Sequence, residues 1–215
     1  MIILIGGEKG GTGKTTLATN LAVIRANAGK DVLLVDTDRQ ESASSWCYVR
    51  EEEARKPRIS SVLKFGAGVR SELVELRNKY DDIIVDSGGR DSIELRGALL
   101  VADIAVIPMR ATQFDLWTIS RFSKLIEEVM QVNEKLKVRL MINAASTNPS
   151  VKEAKEAEEH LATFQNIGVF KTVIRERIAF HKAAADGLAV TELTPIDQKS
   201  ANEVLDFYKE VFHEV

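Results

Sequence analysis

Ile2-Ile3-Leu4-Ile5-Gly6-Gly7-Glu8-Lys9-Gly10-Gly11-Thr12-Gly13-Lys14-Thr15-Thr16 stands at the head of the chain, and its order of apolar run, glycine-rich loop and helix-forming stretch decides the fold. Four apolar residues in succession predict a buried strand. Leu17, Leu21 and Ile24 recur at helical spacing over residues 14 to 28, and Gly29 is placed to end that helix. Between the two, Gly10, Gly11 and Gly13 let backbone N–H groups close around phosphate oxygens, so that an anion rests on the helix N-terminus. Lys14 supplies a point charge at the β- and γ-phosphates, and Thr15 offers its hydroxyl to Mg²⁺, with Thr12 and Thr16 in the same loop. A ligand-free glycine turn accounts poorly for three glycines, two lysines and these threonines at this spacing. One lysine serves such a loop, so Lys9 calls for a separate role.

Working outward, 215 residues with 45 % apolar composition suffice for one good core, and the expectation is a single P-loop domain over residues 1–215. Strand-like and helix-like segments alternate. Apolar runs at 32–35, 83–85 and 104–107 read as buried strands, with further strands expected at 58–63, 138–143 and 170–174. Helices are expected at 42–54, 69–79, 92–101, 115–132, 150–165 and 197–212. The predicted class is α/β, a mostly parallel twisted sheet with helices on both faces, and ligands bind beyond the carboxyl ends of such strands.

Charged side chains gather at those ends. Asp36 and Asp38 follow the second strand in Asp36-Thr37-Asp38-Arg39-Gln40; a structural reading makes them caps of the next helix. Asp82-Ile83-Ile84-Val85-Asp86-Ser87-Gly88-Gly89 fits a Walker B strand, whose Asp86 accepts hydrogen bonds from metal-bound water or from Thr15. Gly88 and Gly89 let the next loop approach a γ-phosphate. Arg90 and Asp91 either sense the nucleotide state or pair with each other.

With its extra Lys9, the loop resembles the deviant Walker A family of P-loop ATPases, which contains the ParA partition proteins, MinD and the nitrogenase iron protein. Glu8 stands where the strict loop pattern has glycine, a departure common among ParA-like proteins. The resemblance implies ATP and Mg²⁺ as ligands and a homodimer in the ATP state, in which Lys9 reaches the nucleotide of the opposite subunit. It places Asp36 in the magnesium shell beside Thr15 and Asp86, and makes Asp38 the group that orients the attacking water, so that Lys9, Lys14 and Asp38 are the catalytic candidates. Arg39 replaces the proline of the Asp-x-Asp-Pro-Gln segment, which makes that segment less rigid than in relatives. The run Pro108 to Asp115 resembles a dimer-face loop, or else a helix entry capped by Thr112 or Asp115. Asn143 and Pro195 fall where relatives contact adenine.

Several classes drop out. Cys47 is the one cysteine, so no disulfide framework or cysteine-held cluster is available, and the nitrogenase branch is excluded. No run of 18 apolar residues occurs. Residues 202–215 carry Glu203, Asp206, Glu210 and Glu214 against Lys209, so the last helix suits core packing better than the anionic membrane surface that MinD-like helices bind. The expected setting is cytoplasmic and nucleoid-associated. The net charge is −3, yet residues 134 to 182 hold nine Lys/Arg against six acids. Arg175, Arg177 and Lys182 are the candidates for non-specific contact with DNA phosphates. Starting at its first strand, the chain resembles the short ParA form without a helix-turn-helix domain. DNA sequence would then be read by a small centromere-binding protein of the ParB or ParG kind. Two alternatives remain: an ATPase that positions another cargo, such as a conjugation or protein complex, and a metabolic enzyme of the dethiobiotin synthetase type.

Overall fold

The structure, a computed structural model, describes residues 1–111, 113–148, 157, 161 and 167–213, without the side chains of 113–121. Seven strands form one sheet: β1 Ile2–Ile5, β2 Val32–Asp36, β3 Ser60–Leu63, β4 Asp82–Asp86, β5 Ile104–Met109, β6 Lys137–Ile142 and β7 Gly168–Val169. Their order is β3-β2-β4-β1-β5-β6-β7, and every pairing is parallel. The described helices are α1 Lys14–Asn27, α2 Ser42–Glu52, α3 Val69–Leu76, α4 Ile93–Leu99, α5 Gln113–Met130, α6 Ile178–Ala185 and α7 Gln198–Phe212.

Alternation along the central strands sorts the helices onto two faces, because successive side chains of a strand point to opposite sides. Ile2, Leu4, Leu33, Val35, Ile83 and Val85 pack with Val69 and Leu73 of α3, Leu95 and Leu99 of α4, and Phe122 and Ile126 of α5. Ile3, Ile5, Val32, Leu34 and Ile84 face Leu17 and Leu21 of α1, Trp46 of α2, Phe180 of α6, and Val204 and Phe207 of α7. Burying each such side chain contributes about 1.5–3 kcal/mol. The last helix is thus a core helix: Val204, Phe207 and Val211 are fully buried. Two of its acids bind neighbouring backbone and arginines, Glu203 with Arg177 and Glu210 with Arg139.

The sequence reading and the structure differ in the C-terminal third. The expected strand at 170–174 is interrupted: regular pairing with β6 covers Gly168–Val169, Phe170 N–H and Ile174 N–H still donate to the Leu140 and Ile142 carbonyls of β6 (2.9 and 3.1 Å), and an isolated bridge joins Ala145 and Arg175. Between Phe170 and Ile174 the N–H groups of Lys171 and Thr172 have another acceptor. The Glu210 carboxylate takes hydrogen bonds from the backbone N–H of Lys171 (3.0 Å) and Thr172 (2.7 Å), and these donors are lost to the ladder. Helix α6 was not foreseen, and neither was the 3₁₀ turn at Val190–Glu192. The helix expected at 150–165 and the capping roles of Thr112 and Asp115 lie outside the described residues.

Candidate functional site

The carboxyl ends of β1, β2 and β4 meet at the glycine loop. Gly13 has φ +83°, which favours glycine, and a Cβ built there would lie 2.3 Å from the Asn143 amide nitrogen. That nitrogen donates instead to the Thr12 carbonyl at 2.6 Å, so Asn143, at the end of β6, holds the loop from below. Across the loop Gly89 makes a closer approach still: a Cβ on it would sit 2.6 Å from Gly10 Cα and N, so the segment after β4 rests directly on the loop backbone.

Lys14 is 6 % exposed, and its Nζ donates to the Lys9 carbonyl at 2.7 Å, which folds the loop's front over its helix. Burial lowers the Lys14 pKa, while the charges of Asp86 and Asp38 oppose that shift and favour the ammonium form. Lys9 itself is half-buried.

Asp36 and Asp86 are register partners on β2 and β4, both 0 % exposed. Their strand positions share parity with Leu34 and Ile84, so both point to the α1 face. Both Asp36 oxygens are engaged by backbone: Oδ1 accepts from Asp38 N–H (3.0 Å) and Oδ2 from Ser44 N–H (2.9 Å) in the first turn of α2. The helix-capping reading of Asp36 is therefore realised here. Asp38 accepts from Gln40 N–H (3.0 Å) and lies beside Gly88, 3.5 Å from where a Cβ would stand.

Asp86 differs. Its Oδ2 accepts the Thr15 hydroxyl at 2.6 Å, but its buried Oδ1 has no hydrogen-bond partner. Desolvation pushes its pKa up to about 7, with the Thr15 hydrogen bond opposing and the Asp36 charge adding to the rise. A buried, unpartnered carboxylate oxygen beside a threonine hydroxyl is the donor set that a hard cation and its water require, so the residues fit Mg²⁺. Among the described residues no cluster of three His, Cys, Asp or Glu forms a protein cage.

A cavity of about 210 Å³ opens beside the loop, lined by Gly11, Gly13, Thr16, Asn143, Ile174 and Phe180 among others. Arg110, after β5, closes its rim by a contact to the Gly11 carbonyl (3.4 Å) and an ion pair with Glu176 (3.6 Å). Its apolar walls suit a nucleobase. Pro195 lies elsewhere: with Ile178 and Ala179 it lines a neighbouring cavity of about 660 Å³ that shares only Glu176 and Arg177 with the first. Phe180 and His181 belong to the first cavity and were not anticipated, because α6 was not; the apolar cluster at 178–180 followed by Ala183 was its available signal.

Of the other expected residues, Arg177 is committed to Glu203 (2.6 Å), which raises its pKa, and Arg175 donates to the Ser146 carbonyl (2.7 Å). Lys182 is exposed. Arg90 and Asp91 do not pair; Asp91 binds Arg96 through two hydrogen bonds of 2.7 and 2.6 Å.

Strand, glycine loop, helix and the Thr15–Asp86 pair define a P-loop nucleotide-binding protein. More narrowly, residues 3–190 match the CobQ/CobB/MinD/ParA nucleotide binding domain, and the chain belongs to that family. It is 31 % identical to the maintenance of carboxysome distribution protein A of Gloeobacter kilaueensis, over 100 % of this chain and 93 % of that protein. It is 28 % identical to the sporulation initiation inhibitor protein Soj of Bacillus subtilis, over 98 % and 97 % of the two chains. A Borrelia burgdorferi protein assigned to plasmid partition, solved with AMPPNP, has the same fold, with TM-score 0.78, 22 % identity and coverage of 100 % and 99 %. Among the described residues no helix is long and apolar enough to cross a membrane.

Proposed function

We propose that this protein is an ATPase, acting as one unit over residues 1–215, that dimerises around two Mg²⁺-ATP molecules and binds DNA non-specifically in that state. Slow hydrolysis, stimulated by a small centromere-binding partner, resets it, and the cycle segregates a plasmid or chromosome. The observation that carries the reading is the buried Thr15–Asp86 pair beneath the glycine loop, with one carboxylate oxygen left over.

Attack of water on a γ-phosphate is governed by alignment and charge neutralisation. The loop N–H groups and Lys14 hold the β- and γ-phosphates. Thr15 and Asp86 would hold Mg²⁺ and its waters, with Asp36, one strand away, reaching a metal-bound water through a remaining lone pair; the ion would supply positive charge against the phosphates. Asp38, placed over Gly88, orients the nucleophilic water by accepting its hydrogen bond. Lys9 neutralises phosphate charge on the nucleotide of the opposite subunit, so nucleotide and interface assemble together. Lys182, Arg175 and Arg177 contact DNA phosphates, the two arginines exchanging their present partners. Asn143 borders the adenine in the cavity beside the loop.

Lys9→Ala tests this reading: ATP-dependent dimers and hydrolysis are lost, while the monomer still binds nucleotide. A monomeric variant hydrolysing at the wild-type rate would exclude the shared site. Co-sedimentation with DNA in ATP, in ADP and without nucleotide, at two salt concentrations, checks the DNA arm; retention belongs to the ATP state and weakens with salt.

Similarity to a carboxysome distribution protein supports a second reading, in which the same cycle spaces a protein cargo. The two part on the partner, a DNA-bound centromere protein in one and a cargo adaptor in the other. Nothing in the site favours the metabolic alternative.

A further inference from the structure

The segment that carries Asp38 is short, solvent-facing and bent. Glu41 within it holds a left-handed conformation at φ +54°, unfavourable for a residue with a Cβ, and such a conformation persists only where its surroundings impose it. Hydrogen bonds from Gln40 N–H to the Asp38 carboxylate and from Glu41 N–H to the Asp38 carbonyl shape the turn from within. A tertiary tether comes from Arg39. Its guanidinium lies over the Phe65 ring, 5.4 Å from the centroid. Phe65 belongs to the loop that leaves β3, and that loop is itself fastened: Lys64 N–H donates to the Asp36 carbonyl (3.0 Å) and Gly66 N–H to the Glu94 carboxylate (2.8 Å). Glu94 stands in the first turn of α4, just after the Gly88–Gly89 loop that touches Gly10. Burial raises the Glu94 pKa, but the Gly66 N–H and, among smaller effects, the charge of Arg39 more than offset this and hold its carboxyl below the ordinary value. Arg39 thus ties the Asp38 turn to the loop after β3, which Gly66 in turn fastens to Glu94 at the start of α4.

We propose that Arg39 is a positioning residue for hydrolysis: by resting on Phe65 it restrains the Asp38 turn beside the Gly88–Gly89 loop. It does through a side chain what a ring-locked residue at that position would do through the backbone. The inference rests on the assignment of Asp38 to the attacking water.

Two measurements test it. In nucleotide-free protein, hydrogen exchange at the Gln40 and Glu41 amides accelerates about two- to fivefold in Arg39→Ala and in Phe65→Leu, the factor that loss of an exposed cation–π contact produces. In steady-state phosphate release, both variants lower kcat by a similar factor with KM for ATP and Tm unchanged, the double variant loses no more than either single one, and Arg39→Pro recovers kcat. Unchanged exchange and kcat in Arg39→Ala, or additive losses in the double variant, would overturn the proposal. If the wild type releases no phosphate, the ATPase reading fails by itself, and the exchange experiment still decides whether Arg39 restrains the turn.

Discussion

The ends of β2 and β4 invite comparison. Each strand finishes in an aspartate, the two are register partners, both are fully buried, and both point toward α1. Asp36 spends its two oxygens on backbone N–H groups and so builds the start of α2. Asp86 gives one oxygen to Thr15 and keeps the other unpartnered. Identical chemistry at matched positions therefore divides into an architectural carboxylate and a ligand-ready one, and the number of N–H donors in reach makes the division.

The strongest way to break this comparison is Asp86→Asn. Phosphate release should fall by about two orders of magnitude or more, since the amide cannot hold the cation's charge. In metal-free and nucleotide-free protein the same variant should reveal the cost of the buried carboxylate. A carboxyl whose pKa is raised on folding to about 7 binds more protons in the native than in the unfolded state between that value and the ordinary carboxylate pKa. The stability this group contributes is therefore fully present below the ordinary carboxylate pKa, is lost as pH rises from there to about 7, and changes no further above it. Asp86→Asn lacks this slope, so the stability gap between variant and wild type widens with pH, by on the order of a few kcal/mol. Denaturant titrations at several pH values measure it. Magnesium binding to the wild type should strengthen over the same range.

Asp36→Asn sharpens the comparison from the other side. Its amide can satisfy only one of the two N–H donors, and unfolding should cost about 1–3 kcal/mol less, read from Tm, with α2 the element that frays. Similar kinetic defects and similar stability losses in the two variants would erase the distinction. The smallest effect concerns the far edge of the site. Lys182→Ala should weaken DNA binding regardless of sequence and reduce the salt slope by about one, measured by titration at several salt concentrations.

Legibility followed the locality of the signal. The first strand, the glycine loop and its helix were readable because a P-loop is one continuous segment whose backbone geometry demands glycine and whose chemistry demands lysine and threonine. Asp86 was readable because an apolar run leads to it. Of the two readings open for Arg90 and Asp91, a pair between them is not realised: Arg90 is the neighbour in sequence, but Arg96 of α4 lies alongside Asp91. The strand expected at 170–174 is broken in its middle for a longer-range reason, since Glu210, some forty residues on, captures the Lys171 and Thr172 N–H groups while Phe170 and Ile174 still bond β6.

By itself the sequence determined the class of sheet, the phosphate loop and the acids at the strand ends, because each follows from residue type at short spacing. Tertiary structure alone decided which of two matched aspartates keeps an unpartnered oxygen, that Asn143 supports the loop from beneath, and that Arg39 meets Phe65. Those outcomes depend on which donors and charges arrive from distant segments, and no local pattern encodes their arrival.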